Sequence, residues 1–85
     1  MRFSEHFESF RRDLPDRERI TLELCERVVT EAVERELQTD GRMAFWGYVE
    51  DEDKYLKVVV EPDMEEIVTA HFDRSFKRKI ERRQK

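Results

Sequence analysis

Three short runs decide how this chain folds: R-M-A-F-W-G-Y-V-E at Arg42–Glu50, K-Y-L-K-V-V-V-E at Lys54–Glu61, and E-E-I-V-T-A-H-F at Glu65–Phe72. Each is strand-length and rich in aromatic or β-branched residues, with an apolar period of two. Their connections, Asp51-Glu52-Asp53 and Pro62-Asp63-Met64, are short and polar. Consecutive strands on such short loops must be antiparallel neighbours, so the runs predict a meander. In the second run Leu56, Val58 and Val60 share one face, and Tyr55, Lys57 and Val59 the other. In the third, Val68, Ala70 and Phe72 alternate with Ile67, Thr69 and His71. With the apolar sets placed under helices, Tyr55, Lys57, Thr69 and His71 are expected on the opposite, more polar face. Trp46 and Tyr48 share a side of the first run, and alternation alone does not fix their register.

Towards the N-terminus the period changes. Phe3, Phe7 and Phe10 recur at four and three, which predicts a short amphipathic helix through Arg12 with Ser4 as N-cap. Leu14-Pro15 ends it, because proline disfavours helix at the preceding residue. Thr21 caps a second helix whose apolar positions are Leu22, Cys25, Val28 and Val29. Continued periodicity would carry that helix to about Leu37. The Asp40-Gly41 turn instead favours a strand from about Ala32 to Gln38, and the strand is the preferred reading.

At the other end, Arg74–Lys85 carries seven basic side chains and one acid, +6, whereas the whole chain sums to −4, so residues 1–73 hold −10. Phe76 and Ile80, four apart, predict one apolar face of a helix capped by Asp73. Arg74, Lys77, Arg78, Arg82 and Arg83 would then point outward or along the sheet edge. Such a stripe suits phosphates or an acidic protein surface; equally, it can dock on the acidic body of its own fold. The predicted class is α+β: N-terminal helices packed on one face of a three- to four-stranded antiparallel meander, with a basic C-terminal helix.

Eighty-five residues make one domain, spanning 1–85, with one modest core. Charged residues are 45% of the chain, yet nine aromatics argue against disorder. Cys25 is the single cysteine and falls on the apolar stripe of the second helix, so a buried, inert thiol in a reducing compartment is expected. There is no apolar h-region near the start and no run of about 20 apolar residues, which predicts a cytoplasmic protein without a membrane partner.

From Gln38 the sequence Q-T-D-G-R-M-A-F-W-G-Y-V, then K-Y-L-K-V-V-V from Lys54 and E-I-V-T-A-H-F-D-R-S-F from Glu66, resembles a set of small bacterial proteins. These in turn resemble the RelE/BrnT-type ribonuclease toxins of toxin–antitoxin pairs. R-E-R-I-T-L-E-L-C-E-R-V-V at Arg17–Val29 is similar to the short helix preceding the sheet in that group, and the resemblance covers Arg19 to Arg78. It implies a barnase-like architecture, RNA cleavage without a metal or other cofactor, and a cognate antitoxin bound across the sheet and terminal helix. Toxins of this type are commonly basic, and the acidic body here departs from that pattern. A non-catalytic protein-interaction module of the same fold is therefore the alternative, and a homodimer through an edge strand is compatible with either.

Metal-free cleavage needs a base for the 2′-hydroxyl, an acid for the leaving 5′-oxygen, and cations for the phosphorane. Histidine suits the first two roles and arginine the third. The chain has two histidines, His6 and His71. His71 ends the third run beside Asp73-Arg74 and would work with Arg74 and Arg78; its plainer role is a strand-end histidine bonded to solvent or to Asp73. His6 lies off the phenylalanine stripe, and the resemblance would bring it over the sheet as the second imidazole; otherwise it is a surface residue. Arg42 and Trp46 could clamp a nucleotide by phosphate and base, against the expectation that a lone tryptophan is core and a turn arginine is solvated. Tyr55 and Lys57 would add a hydroxyl and an ammonium, or are simply exposed, and Lys77 and Arg82 would extend the RNA-binding surface. Glu50-Asp51-Glu52-Asp53 lacks the spacing of a calcium loop and reads as a charged hairpin tip. No zinc or nucleotide-phosphate motif is present.

Overall fold

The computed structural model describes residues 1–13 and 19–83. In chain order the elements are β1 (Arg2–Phe3), α1 (Glu5–Asp13), α2 (Leu22–Thr30), β2 (Glu34–Leu37), β3 (Met43–Val49), β4 (Lys54–Val60), β5 (Glu66–Phe72) and α3 (Arg74–Arg83). The class is α+β. The sheet has five strands in the order β1-β5-β4-β3-β2. β2 to β5 pair antiparallel in sequence, but β1 pairs parallel to β5, through Arg2↔Glu66 and Phe3↔Ile67. The sheet is thus mixed and has five strands, not the three or four antiparallel ones expected. The periodic phenylalanines concealed this, because Phe3 belongs to β1 and only Phe7 and Phe10 to the helix. Ser4 does cap α1: its Oγ accepts from the Phe7 N–H at 3.1 Å. The predicted stop at Leu14-Pro15 lies outside the described residues.

Thr21 caps α2 by accepting from the Leu24 N–H at 3.1 Å, and the helix ends at Thr30. It does not continue to Leu37, because Glu34–Leu37 is held as a strand against β3. Gly41, at φ +88, closes the connecting turn in a conformation that a Cβ would strain. The other two strand connections also need the left-handed region, supplied by Asp53 (φ 51) after a short 3₁₀ turn, Glu50–Glu52, and by Met64 (φ 63).

Both faces of the sheet are covered. One carries Phe45 and Val49 of β3 with Leu56, Val58 and Val60 of β4, packed on Phe7, Cys25 and Val28 of the N-terminal helices. The other carries Ala44, Trp46 and Val59, packed on Phe76 of α3 with Tyr55, Val68 and Ile80 around them. Helices therefore flank the sheet rather than sharing one face. β5 departs from simple alternation: Val59 pairs with Thr69 but Val60 with Ile67, so Val68 is extra. This bulge turns Ile67 to the same side as Ala70, and Val68 to the α3 side with His71, the reverse of the expected parity below Thr69. Two consecutive β-branched residues can satisfy the bulge because each face offers an apolar cover. Gly47 is where α2 approaches closest: a Cβ there would meet both Val28 methyls at 3.1 Å.

Candidate functional site: a cleft at the end of β5

Asp73 organises this end of the sheet. Its N–H donates to the Tyr55 carbonyl at 2.8 Å, and its Oδ1 accepts from the Phe76 N–H at 3.1 Å, capping α3. Its Oδ2 accepts the indole N–H of Trp46 at 3.1 Å. Partial burial pushes the Asp73 carboxyl upward, but the hydrogen bonds from Trp46 and Phe76, with the charges of His71 and Lys57, outweigh it, and the carboxyl lies below its ordinary 3.8. Trp46 is 6% exposed, stacked on Phe76 at 5.2 Å between ring centroids, with the Lys57 ammonium 5.3 Å from its ring. The ring is core and not available to stack on a nucleotide, because α3 closes over it; Lys57 is committed to the same cluster.

Beside this cap lies a cleft of about 260 Å³. Residues far apart in sequence meet there. His71 and Arg74 come from the β5–α3 junction, Lys54 from the start of β4, Glu52 from the 3₁₀ turn, and Arg19 from the segment before α2, with Ile20 and Phe72 as the apolar wall. Arg19 Nη1 lies 3.5 Å from Glu52 Oε1, and the Lys54 ammonium 5.5 Å from the Phe72 ring centroid. One opening thus holds an imidazole, a carboxylate and three cations.

Arg78 and Lys77 do not line this cleft but an adjoining one, with Tyr55. Lys77 is tied to Asp53, Nζ to Oδ2 at 3.2 Å, and Asp53 also accepts from the Tyr48 hydroxyl. The Tyr48 bond first, and Lys77 second, hold the Asp53 carboxyl below its ordinary value, while the same bond raises the Tyr48 phenol. Arg82 is exposed on the last turn of α3 and lines neither cleft.

His6 and Arg42 lie at the opposite end of the sheet, in a separate, larger opening with Glu5, Glu61 and Glu66. His6 is exposed and stacks on Phe10, 6.2 Å between centroids. Arg42 donates to Glu61 Oε1 from Nε at 3.2 Å and from Nη2 at 3.1 Å, and lies 3.4 Å from Asp40 Oδ2. The Glu61 hydrogen bond and charge raise the Arg42 pKa, so the guanidinium stays protonated and engaged with its own carboxylates. A seven-residue strand spans about 20 Å. The two histidines therefore cannot act on one phosphate, and the expected pairing of His6 with His71 is not assembled. Cys25 is fully buried, and desolvation pushes its thiol up to about 12, as expected of an inert core cysteine.

The sequence reading missed Glu52, Lys54 and Arg19. A signal for the first two existed: in a meander the start of β4 must lie beside the end of β5, which brings the hairpin tip to His71. Arg19 had no such signal, because its position depends on how α2 packs. Among the described residues no three His, Cys, Asp or Glu side chains gather to hold a metal ion. No helix in that set is long and apolar enough to cross a membrane. No family model, curated protein or solved structure matches this chain.

Proposed function

We propose that this chain is a toxin-like, metal-independent endoribonuclease of a bacterial toxin–antitoxin pair, working in the cleft at the end of β5. The observation that carries the reading is the company His71 keeps: Glu52, Arg19, Lys54 and Arg74 line the same opening. Those groups match what phosphodiester transesterification consumes. Glu52 takes the proton of the 2′-hydroxyl as that oxygen attacks phosphorus. The bond from phosphorus to the 5′-oxygen breaks, and protonated His71 delivers a proton to the departing oxygen, leaving a 2′,3′-cyclic phosphate and a 5′-hydroxyl. Arg74, Lys54 and Arg19 balance the charge that gathers on the phosphorane. The acidic body needs this local cluster, since the chain's overall charge would otherwise repel RNA.

A second reading, a non-catalytic interaction module, draws support from the internal ion pairs of α3. Lys77 pairs with Asp53, and Arg83 Nη1 approaches Glu34 Oε2 at 2.6 Å, so part of the basic helix is spent on its own fold.

Expression of the wild type, His71→Ala and Glu52→Gln in a bacterial host, with growth and total RNA followed, separates the two. Arrest with RNA fragments from the wild type alone supports the nuclease. With purified proteins each variant should cleave on the order of 10²–10⁴-fold more slowly. Normal growth and intact RNA in all three cultures would sink the nuclease and leave the module.

A further inference from the structure

The cleft that holds His71 is not isolated. It shares Lys54 and Arg74 with the adjoining cleft of about 350 Å³ between the β3–β4 hairpin tip and α3. Each cleft is on the scale of a single nucleotide, and the two shared cations stand at their boundary. The second contributes Tyr55, Lys77 and Arg78, and with them the carboxylates of Glu81, of Asp53, which is held by Lys77 and Tyr48, and of Asp73, which is held by Trp46 and the α3 cap.

Tyr55 is half-buried and fixed by two ring neighbours: it lies edge-on to Phe76 at 5.1 Å and tilted against Tyr48 at 5.3 Å. Its orientation is thus set before any ligand arrives, which lowers the entropy lost on stacking. Arg78 is exposed, follows Arg74 by one helical turn, about 6 Å along α3, and among the described residues neither arginine forms an ion pair. Lys77, by contrast, is already held by Asp53. The groove therefore offers, in one lining, two guanidinium groups outside any ion pair and one helical turn apart, and an oriented aromatic ring on β4.

Resting on the nuclease reading above, we infer that this adjoining cleft is a second nucleotide subsite, in which Tyr55 stacks on the base next to the scissile linkage and Arg78 holds the phosphate beyond it. The substrate class follows. A base can lie on Tyr55 only when it is free of its own stack, so the groove takes single-stranded RNA of at least two nucleotides and excludes a duplex.

The test uses the full chain and 2′-O-methyl RNA, which cannot be cleaved because the attacking hydroxyl is blocked. Fluorescence anisotropy follows labelled single strands of two and four nucleotides and a hairpin whose stem contains the four-nucleotide sequence. The four-nucleotide strand should bind more tightly than the dinucleotide, and the stem should bind least. Tyr55→Leu should weaken the single strand roughly tenfold, with Tyr55→Phe restoring most of it, since the ring and not the hydroxyl makes the contact. Arg78→Gln should reduce the slope of log K against log salt by about 0.7, the value of one phosphate contact on a single strand. Equal binding of stem and strand, or an unchanged slope in Arg78→Gln, would overturn the subsite while leaving His71-dependent cleavage intact. If no oligonucleotide binds and RNA is never cut, the subsite and the nuclease reading fall together, and an acidic protein partner for α3 takes their place.

Discussion

Removing the Asp73 carboxylate tests the junction on which the proposed site is built. Asp73→Ala removes an N-cap bond to Phe76, at about 1 kcal/mol. It also strands the indole N–H of Trp46, a buried donor whose loss of partner costs about 1–3 kcal/mol. Asp73 is only partly buried, so water can replace some of this, and the expected total is about 2–3 kcal/mol. For a domain of this size that lowers the Tm by roughly 10–20 °C. Asp73→Asn keeps one acceptor but turns an amide donor towards a second donor, and should cost about 1–2 kcal/mol. In a double-mutant cycle with Trp46→Phe, the coupling should be about 1 kcal/mol. The pH dependence has a definite sign. The folded Asp73 carboxyl lies below its ordinary 3.8, so its stabilisation is complete above that value and is lost as pH falls through the lower folded one. The gap in stability between wild type and Asp73→Asn should accordingly narrow below about pH 4. Urea unfolding by circular dichroism at pH 7 and at pH 3 measures both effects. A cost below about 0.5 kcal/mol for Asp73→Ala, the level of an ordinary surface substitution, would refute the structural role assigned to Asp73. So would a wild type and Asp73→Asn whose stabilities stay parallel across that range.

Gly47→Ala should destabilise by about 1–3 kcal/mol in the same unfolding assay, because the new methyl sits 3.1 Å from both methyls of Val28 on α2. A neutral substitution there would show that α2 can shift off β3 at little cost. Met64→Gly should stabilise by up to about 1 kcal/mol, since φ 63 strains a residue with a Cβ and the side chain is 39% exposed, so little burial is lost. A loss of stability would mean that the Met64 side chain matters more than its backbone.

The legible part of the site was the part that is local in sequence. His71, Asp73 and Arg74 fall within four residues, so a strand end running into a helix cap brings them together whatever the rest of the chain does. His6 and Arg42 were grouped with them by chemistry alone. Residue type says what a side chain can do, but not which end of a sheet it occupies. Trp46 illustrates the same limit from the other side: its pattern fits either a core or a stacking platform, and only the path of α3 across that face makes it core.

Period, turn residues and caps by themselves determined the class, the bounds of β3, β4, β5 and α3 to within a residue or two, and the neighbours in the meander; they left 32–38 open between helix and strand and did not show β1. These are short-range properties: side-chain alternation, the left-handed turn at Gly41, and the hydroxyl caps Ser4 and Thr21 act within a few residues of themselves. Tertiary structure decided what depends on contacts between distant segments. It recruited Arg2 and Phe3 as a parallel edge strand, placed α3 on the face opposite α1 and α2, and bulged β5 at Val68 so that Ile67 shares a face with Ala70 and Val68 joins the α3 side. It also brought Arg19 and Glu52 together, 33 positions apart in the chain. No local rule reaches that far, because the free energy that fixes such a pair is the burial of the elements that carry it.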